Sequence, residues 1–189
     1  MRNRGPIIDE LRGAFAQATR VLEIGAGTGE HAVFFAGKLP HLVWQPTDVA
    51  AHLPGIAAWR DAVALPNLRT PLELDVDVGD WPVGEVDAVF TANTLHIMSW
   101  ASVGNFFHGV GRVLAVGGVL AVYGPFSDGG RHTAESNVRF DTLLRARDPL
   151  SGVRDWRAVD ALAGEQGLRL VADHAMPANN RTLVWRRNV

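Results

Sequence analysis

The sequence predicts an α/β protein in which helices cover both faces of a doubly wound sheet of about seven strands. Two observations carry this prediction. Short segments with strand character alternate with amphipathic helical segments, and the segment 86–92 is nearly continuous in apolar residues. Such alternation indicates parallel strands joined by helices, and a strand covered on both faces shows little polar character. We therefore expect a mostly parallel sheet that ends in an antiparallel hairpin.

The predicted elements follow one another in that alternating order. Helices are predicted at 6–17, 29–39, 50–64, 100–114, 135–146 and 156–166, and strands at 20–24, 42–48, 68–74, 86–92, 119–123, 168–174 and 182–187. Pro6 suits a first helical turn, Asp155 can cap the last helix and Gly167 can end it. The polar stretch 124–133 is interpreted as a loop. A short connection around 175–180 makes the last two strands a hairpin.

Composition is that of a globular protein and excludes several function classes. Apolar residues make up 47% of the 189 residues, a length that suggests one domain, 1–189. The chain has no cysteine, which excludes disulfides and thiolate metal sites, and its histidines show no metal-binding spacing. No apolar run reaches the roughly 18 residues of a membrane span. By elimination we expect a cytoplasmic protein, either a monomer or a homodimer. A net charge of −2 with interleaved acids and bases argues against an extensive nucleic-acid surface.

The segment 21–29 carries the strongest functional signal. Its sequence, Val-Leu-Glu-Ile-Gly-Ala-Gly-Thr-Gly, predicts a strand, a tight glycine turn and the start of a helix. Such a turn lets a ligand lie against bare backbone. The dinucleotide fingerprint is Gly-x-Gly-x-x-Gly, whereas here the third glycine comes one residue early.

Acidic and amide residues are predicted at the same edge of the sheet, where doubly wound folds bind their ligands. Asp48 ends the second strand, 23 residues after Gly25, and can accept hydrogen bonds from ribose hydroxyls. Asp75 follows the third strand and suits the exocyclic amine of adenine, with Val76 offering a backbone N–H and an apolar contact. Asn93 follows the fourth strand.

Two cofactors fit a nucleotide-like site of this kind. A nicotinamide dinucleotide presents a pyrophosphate, whereas S-adenosylmethionine carries an amino acid, a sulfonium and adenosine but no phosphate. No arginine or lysine lies between Arg20 and Lys38, and Glu23, Asp48 and Asp75 make the site acidic. The residues therefore favour S-adenosylmethionine.

The same segments resemble successive motifs of class I S-adenosylmethionine-dependent methyltransferases, which have a Rossmann-like fold. More narrowly, the chain resembles a family described as a domain of unknown function, also called methyltransferase-like proteins. The matching pieces are 2–7, 27–32, 44–48, 92–97, 123–126, 130–133, 136–137, 140–141, 145–149 and 176–180. Family members often carry a short segment before the first piece, so we expect the N-terminal wall of the pocket to be incomplete. The resemblance implies no acceptor.

The resemblance implies a set of cofactor-binding residues, with Ala26 in the same turn: Glu23, Gly25, Gly27, Thr28, Asp48, Asp75, Val76 and Asn93. Glu23 alternatively serves only to satisfy backbone groups. His31, on the first turn of the next helix, is expected either at the methionine part of the cofactor or packed within the helix.

Candidate catalytic and acceptor-binding residues lie after the fourth and fifth strands and in the final connection. His96 is the candidate general base, since its usual pKa lies near neutrality. Six residues could orient a small polar acceptor: Tyr123, Arg131, His132, Asn137, Asn179 and Asn180. The alternative for both groups is loop bracing, because asparagine stabilises turns through its own backbone.

The sequence thus predicts an S-adenosylmethionine-dependent methyltransferase with a small-molecule acceptor and no metal. Few residues point specifically to catalysis. A second hypothesis therefore remains, in which the domain binds the cofactor without turning it over and acts as a sensor or assembly partner. A nicotinamide-dependent oxidoreductase is disfavoured by the glycine spacing.

Overall fold

The computed structural model describes residues 3–188, in which helices and strands alternate as predicted. The helices are α1 (Arg4–Ala14), α2 (Glu30–Lys38), α3 (Leu53–Val63), α4 (Trp100–Val113), α5 (Glu135–Arg147) and α6 (Trp156–Glu165). The strands are β1 (Arg20–Ile24), β2 (Val43–Asp48), β3 (Leu72–Glu73), β4 (Val86–Ala92), β5 (Leu114–Gly124), β6 (Phe126–Asp128), β7 (Arg131–His132), β8 (Arg154–Asp155), β9 (Leu168–Met176) and β10 (Asn180–Arg187). Arg2, quoted above for the family resemblance, lies outside the described residues.

The main sheet has seven strands in the order β3-β2-β1-β4-β5-β10-β9. β1 to β5 pair in parallel, and β10 runs antiparallel between β5 and β9. This topology confirms the predicted mostly parallel, Rossmann-like sheet with a terminal antiparallel hairpin. The chain switches direction across the sheet between β1 and β4, and ligands of doubly wound sheets bind at the carboxyl ends of the strands near such a point.

Each face of the sheet carries its own apolar core, because alternate residues of a strand point to opposite faces. Val21 belongs to the core beneath α1 and α2, where the rings of Phe35, Trp44 and Phe90 pack with centroids 5.3–5.9 Å apart. Leu22 belongs to the core beneath α4 and α6. These side chains are fully buried, so truncating one of the rings to alanine would cost about 3–5 kcal/mol of stability.

Several predicted elements have different bounds, among them the third strand, the fifth strand and the first helix. The strand predicted at 68–74 is reduced to the two residues of β3 and one isolated bridge from Leu68 to Trp44. Pro71 lies between these pairings and has no N–H to donate to a ladder. β5 begins at Leu114 rather than 119, and its pairing with β4 shifts register between Val86 and Ala88. α1 ends at Ala14 rather than at residue 17.

The stretch interpreted as a polar loop contains β6 and β7, which form a small second sheet with β8. α6 begins at the predicted cap, since the N–H of Arg157 donates to Oδ1 of Asp155 at 2.9 Å. The start of α4 is capped in the same way by Ser99, which accepts from the N–H of Ser102. Within residues 3–188, no helix combines the length and the apolar character needed to cross a bilayer.

Candidate functional site

A cavity of about 920 Å³ opens at the carboxyl ends of the parallel strands, where this topology places ligands. Its volume lies near the upper end of the roughly 300–1,000 Å³ usual for small-molecule sites. Eleven of the residues predicted from sequence line it: Gly25, Ala26, Gly27, Thr28, His31, Asp48, Asp75, Val76, Asn93, Tyr123 and Asn180. The fold brings these residues together, and their roles in binding stay predictions.

One wall of the cavity is the glycine turn between β1 and α2. Gly25, Gly27 and Gly29 have φ angles of +73°, +60° and +86°, which side-chain-bearing residues rarely adopt. A Cβ on Gly25 would lie 2.7 Å from the side chain of Thr94, and one on Gly29 would lie 3.0 Å from the Cα of Ile56. The turn therefore requires glycine for its conformation at three positions and for space at two of them.

Asp48, the last residue of β2, holds this turn in place. Its Oδ2 accepts the N–H of Gly27 at 2.7 Å, while Oδ1 accepts the N–H of Val49 and contacts Nδ1 of His52, both at 2.8 Å. A carboxylate has about four lone-pair sites, so one stays free for a ligand hydroxyl. His52 was not among the residues predicted from the sequence, although its spacing of four residues from Asp48 was a usable signal.

Two further carboxylates follow β3 and line the same cavity. Oδ1 of Asp75 accepts the N–H of Asp77 at 3.0 Å. Asp77, which was likewise not predicted from the sequence, accepts from Oγ of Ser102 at 2.8 Å and Nδ2 of Asn105 at 2.9 Å. We call Asp48, Asp75 and Asp77 the acidic end of the cavity.

Uncharged side chains that hydrogen-bond with one another also line the cavity. Nε2 of His31 lies 3.2 Å from Oδ1 of Asn3, and the hydroxyl of Tyr123 hydrogen-bonds with the side chains of Asn3 and Asn180. We call these four residues, together with Asn93, the neutral end. They come from five separate segments of the chain, which explains why no local pattern predicts their association.

Burial keeps the two titratable groups of the neutral end uncharged at pH 7. It lowers the pKa of His31 to about 4, and the ring stacks on Phe35 with centroids 5.2 Å apart. Burial also raises the pKa of the Tyr123 hydroxyl, while its hydrogen bonds with Asn3 and Asn180 act in the opposite direction. Both side chains are therefore neutral hydrogen-bonding groups at neutral pH.

Asn93 has the left-handed backbone conformation directly after β4. Its φ of +59° is uncommon outside glycine, although asparagine tolerates it better than most residues. The N–H of Asn93 donates to the carbonyl of Tyr123 at 2.8 Å, and the hydroxyl of Thr94 donates to the carbonyl of Ala92 at 3.1 Å. These bonds hold the turn that brings Asn93 to the cavity.

Glu23 does not line the cavity. It is 2% exposed in β1, and its Oε2 accepts the indole N–H of Trp44 at 2.7 Å. Burial raises its pKa to about 7; the bond from Trp44 opposes this shift and the negative charge of Asp48 adds to it. The carboxylate thus bonds an indole in the core beneath the turn, whereas the sequence predicted either a cofactor contact or a bond to backbone groups.

His96 also lies outside the cavity lining. Its ring packs edge-on against Phe140 of α5, with centroids 5.1 Å apart, and its carbonyl accepts the N–H of Gly152 at 2.8 Å. Burial, and to a lesser degree the positive charge of Arg154, lower the pKa of His96 to about 4. His96 was predicted as a general base because the usual pKa of histidine lies near neutrality. Burial under α5 lowers the pKa of this histidine well below that value.

Four residues predicted at the acceptor site lie outside the cavity lining and contact α5 or its neighbours. Nδ2 of Asn137 donates to the carbonyl of Asn179 at 3.1 Å, and Nδ2 of Asn179 lies 3.0 Å from Oγ of Ser136. Arg131 and His132 form β7, and Nε2 of His132 lies 3.6 Å from Asp141. The arrangement corresponds to the alternative of loop bracing.

Comparison with known families gives one match over nearly the whole chain. A family described as "Protein of unknown function (DUF938)" matches residues 1–187. The description assigns no activity to the family.

Solved structures of longer proteins share the fold. An O-methyltransferase family protein from Burkholderia thailandensis superimposes with a TM-score of 0.86 at 16% identity, covering 97% of this chain and 56% of that protein. The structure titled "PigF with SAH" gives 0.81 at 15%, covering 96% and 61%. An O-methyltransferase family 2 protein from Planctomyces limnophilus, in complex with apigenin, gives 0.83 at 12%, covering 98% and 56%. The chain therefore spans little more than half the length of these proteins.

Proposed function

The chain belongs to the DUF938 family, and we propose that it is an S-adenosylmethionine-dependent methyltransferase that acts on a small molecule. The proposal takes residues 1–189 as one domain. It concerns the cavity at the carboxyl ends of the strands, whose two ends would bind different parts of the methyl donor.

The observation that carries the proposal is the acidic end beside the glycine turn. The donor has a positive sulfonium and an adenosine but no phosphate, so it requires acceptors and negative charge rather than a basic cradle. Asp48, Asp75 and Asp77 supply these, and the cavity-lining residues within 3–188 include no arginine or lysine. A pyrophosphate would instead face three carboxylates without a basic partner, which disfavours a dinucleotide.

The comparisons support the same class of ligand. Proteins that share the fold over nearly all of this chain include O-methyltransferase family members, and one was solved with SAH. Another was solved with apigenin, a small molecule, which favours a small acceptor here as well.

Bound S-adenosylmethionine would supply an activated methyl group, and the chain's residues would orient it. The free lone pair of Asp48 suits a ribose hydroxyl, and Asp75 suits the amine of adenine. In this proposal Asn93, at the end of β4, contacts the donor, and Tyr123, at the end of β5, faces the acceptor. Catalysis then rests on positioning the methyl group in line with the acceptor atom, and the acceptor's proton passes to solvent after the transfer.

A second function, donor binding without turnover, is favoured by one observation. The predicted base, His96, lies outside the lining, and the two histidines that line the cavity among residues 3–188 are each engaged, His31 with Asn3 and His52 with Asp48. A sensor or an assembly protein would need the donor site alone.

Calorimetric titration with S-adenosylmethionine, S-adenosylhomocysteine and NAD tests the proposal. We expect both adenosyl ligands to bind and NAD not to bind. Binding of NAD alone would overturn both functions. Transfer of label from S-[methyl-³H]adenosylmethionine to a component of a metabolite extract would then favour the enzyme, and binding without any transfer would favour the sensor.

A further inference from the structure

Asn3 occupies a helix-capping position without capping the helix. It is the residue before α1, where asparagine is among the preferred caps because its side chain accepts from the first free N–H groups. Here the side chain makes no such bond. Its amide is instead turned to the cavity, which it lines. The start of α1 forgoes a cap worth about 1 kcal/mol, so the orientation of this amide needs another explanation.

Two partners hold the Asn3 amide in this orientation. Its Oδ1 lies 3.2 Å from Nε2 of His31, and its side chain also hydrogen-bonds with the hydroxyl of Tyr123. Each partner is itself held, since His31 stacks on Phe35 and Tyr123 also bonds with Asn180. The amide is therefore fixed in advance at the surface of the cavity, which lowers the entropy lost when a ligand binds it.

We propose that Asn3 binds the amino-acid group of the methyl donor, with His31 and Tyr123 as the positioning residues that aim its amide. This inference rests on the proposed function, because it assigns one end of the same ligand. The site takes a zwitterion, an α-ammonium beside an α-carboxylate.

The chemistry of the neutral end suits a zwitterion. An asparagine amide offers a carbonyl oxygen to an ammonium and N–H groups to a carboxylate, and the phenol and neutral imidazole beside it can each donate or accept. A group with no net charge needs no charged partner. Neutral side chains also avoid the large cost of a buried, unpaired charge when the ligand leaves.

The position along the ligand agrees with this assignment. His31 lies two residues after Gly29, so the Asn3–His31 pair is adjacent to the glycine turn. The acidic end, with Asp48 and Asp75, is suited to the ribose and adenine. The amino-acid group is at the other end of the donor from the adenine, and Asn3, which lines the same cavity, offers it an amide.

S-adenosylhomocysteine and 5′-methylthioadenosine provide the test, because both are uncharged adenosyl thioethers at sulfur and only the first carries the amino-acid group. Their affinities are measured by calorimetry for the full chain and for Asn3→Ala. We expect the affinity for S-adenosylhomocysteine to fall about tenfold or more, as for loss of hydrogen bonds to charged groups. The affinity for 5′-methylthioadenosine should stay within twofold.

Two further variants serve as a second test and as a control. Asn3→Leu keeps the branching of the side chain without its polar atoms and should give the same selective loss, and thermal melting verifies that each variant is folded. Asn188→Ala changes an asparagine whose N–H bonds to Gly167 beyond the end of β10, away from the cavity, and should change neither affinity.

Each remaining outcome overturns a different statement. An equal loss for both ligands would make the Asn3 network a structural brace, and an unchanged affinity for S-adenosylhomocysteine would show that Asn3 makes no bond to it. Either result overturns the inference and leaves the proposed function standing. If the unmodified protein binds neither ligand, the proposed function fails and the inference fails with it.

Discussion

The acidic end and the neutral end of the cavity are built in opposite ways. The three carboxylates of the acidic end lie within residues 48–77, and each already holds a backbone or side-chain donor in place. The neutral end joins residues 3, 31, 93, 123 and 180, which meet only in the complete fold. The negative charges that line the cavity thus come from one short segment of the chain. The uncharged hydrogen-bonding groups come together only when the whole sheet has formed.

The largest expected effect concerns the glycine turn that the acidic end supports. In Gly25→Ala the new Cβ would lie 2.7 Å from Thr94, at a φ of +73° that alanine adopts only under strain. We expect loss of about 2–3 kcal/mol of stability and an affinity for S-adenosylmethionine reduced by about a hundredfold, measured by urea unfolding and calorimetry.

Gly104→Ala is the matched control for this change. Gly104 lies in α4, and a Cβ there meets no atom within 4 Å. Alanine is the better helix former, so this variant should be at least as stable as the parent. Wild-type affinity in Gly25→Ala would show that the turn tolerates side chains and that its glycines carry no binding information.

The next prediction concerns Glu23, a carboxyl group that is buried beneath the acidic end and does not line the cavity. Burial raises the pKa of Glu23 to about 7, above its ordinary 4.5. The stabilising effect of the protonated form is complete below pH 4.5 and is lost as the pH rises through 7. By pH 8 the loss is about 3 kcal/mol. Glu23→Gln keeps an acceptor for the indole N–H of Trp44 without the charge.

Urea unfolding of the parent and of Glu23→Gln at pH 5 and pH 8 measures this difference. We expect the variant to gain stability relative to the parent at pH 8 and to differ little at pH 5. Glu135→Gln changes a carboxylate that is 86% exposed on α5 and should show no such trend. If the relative stability of Glu23→Gln does not vary with pH, the pKa of Glu23 is the same in the folded and unfolded protein and burial does not raise it.

The sequence predicts the acidic end better than the neutral end for a physical reason. A strand that ends in Asp48 and a glycine turn with fixed spacing are local patterns, and parallel strands bring their carboxyl ends to one edge. Asn3 and Tyr123 are 120 positions apart, so their contact follows from how α1 packs on the sheet. Tyr123 and Asn180 were nevertheless found, because both were assigned to that edge.

Burial and local breaks in pairing are further features that the sequence pattern does not reveal. His96 was selected by its usual pKa, and only the packing of Phe140 over its ring reveals that burial lowers that pKa. The same holds for the third strand, where apolar residues predicted a full strand and Pro71 leaves two paired residues. The type of a residue predicts the chemistry that its side chain is capable of. Its burial in the folded protein determines whether its pKa and exposure permit that chemistry.

A smaller effect is expected from the acidic end itself. Asp75→Ala removes one of three carboxylates, and we expect the affinity for S-adenosylmethionine to fall about tenfold, as for a hydrogen bond to a charged group. Asp80→Ala removes an aspartate that is 94% exposed and pairs with Arg112, so it is the control that should change nothing. An equal, small change in both variants would mean that Asp75 does not contact the ligand.

The smallest effect is spectroscopic and concerns the neutral end. Tyr123 is the one tyrosine of the chain, so its ionisation can be followed by ultraviolet absorbance without assignment. Burial raises its pKa above the ordinary 10, and the bond with Asn180 holds it lower than burial alone would. Asn180→Ala should therefore move the ionisation to higher pH, as long as circular dichroism shows the protein folded. Asn188→Ala should leave it unchanged. A shift to lower pH in Asn180→Ala would mean that water enters the neutral end when the amide is removed, and that Asn180 excludes solvent rather than bonding the phenol.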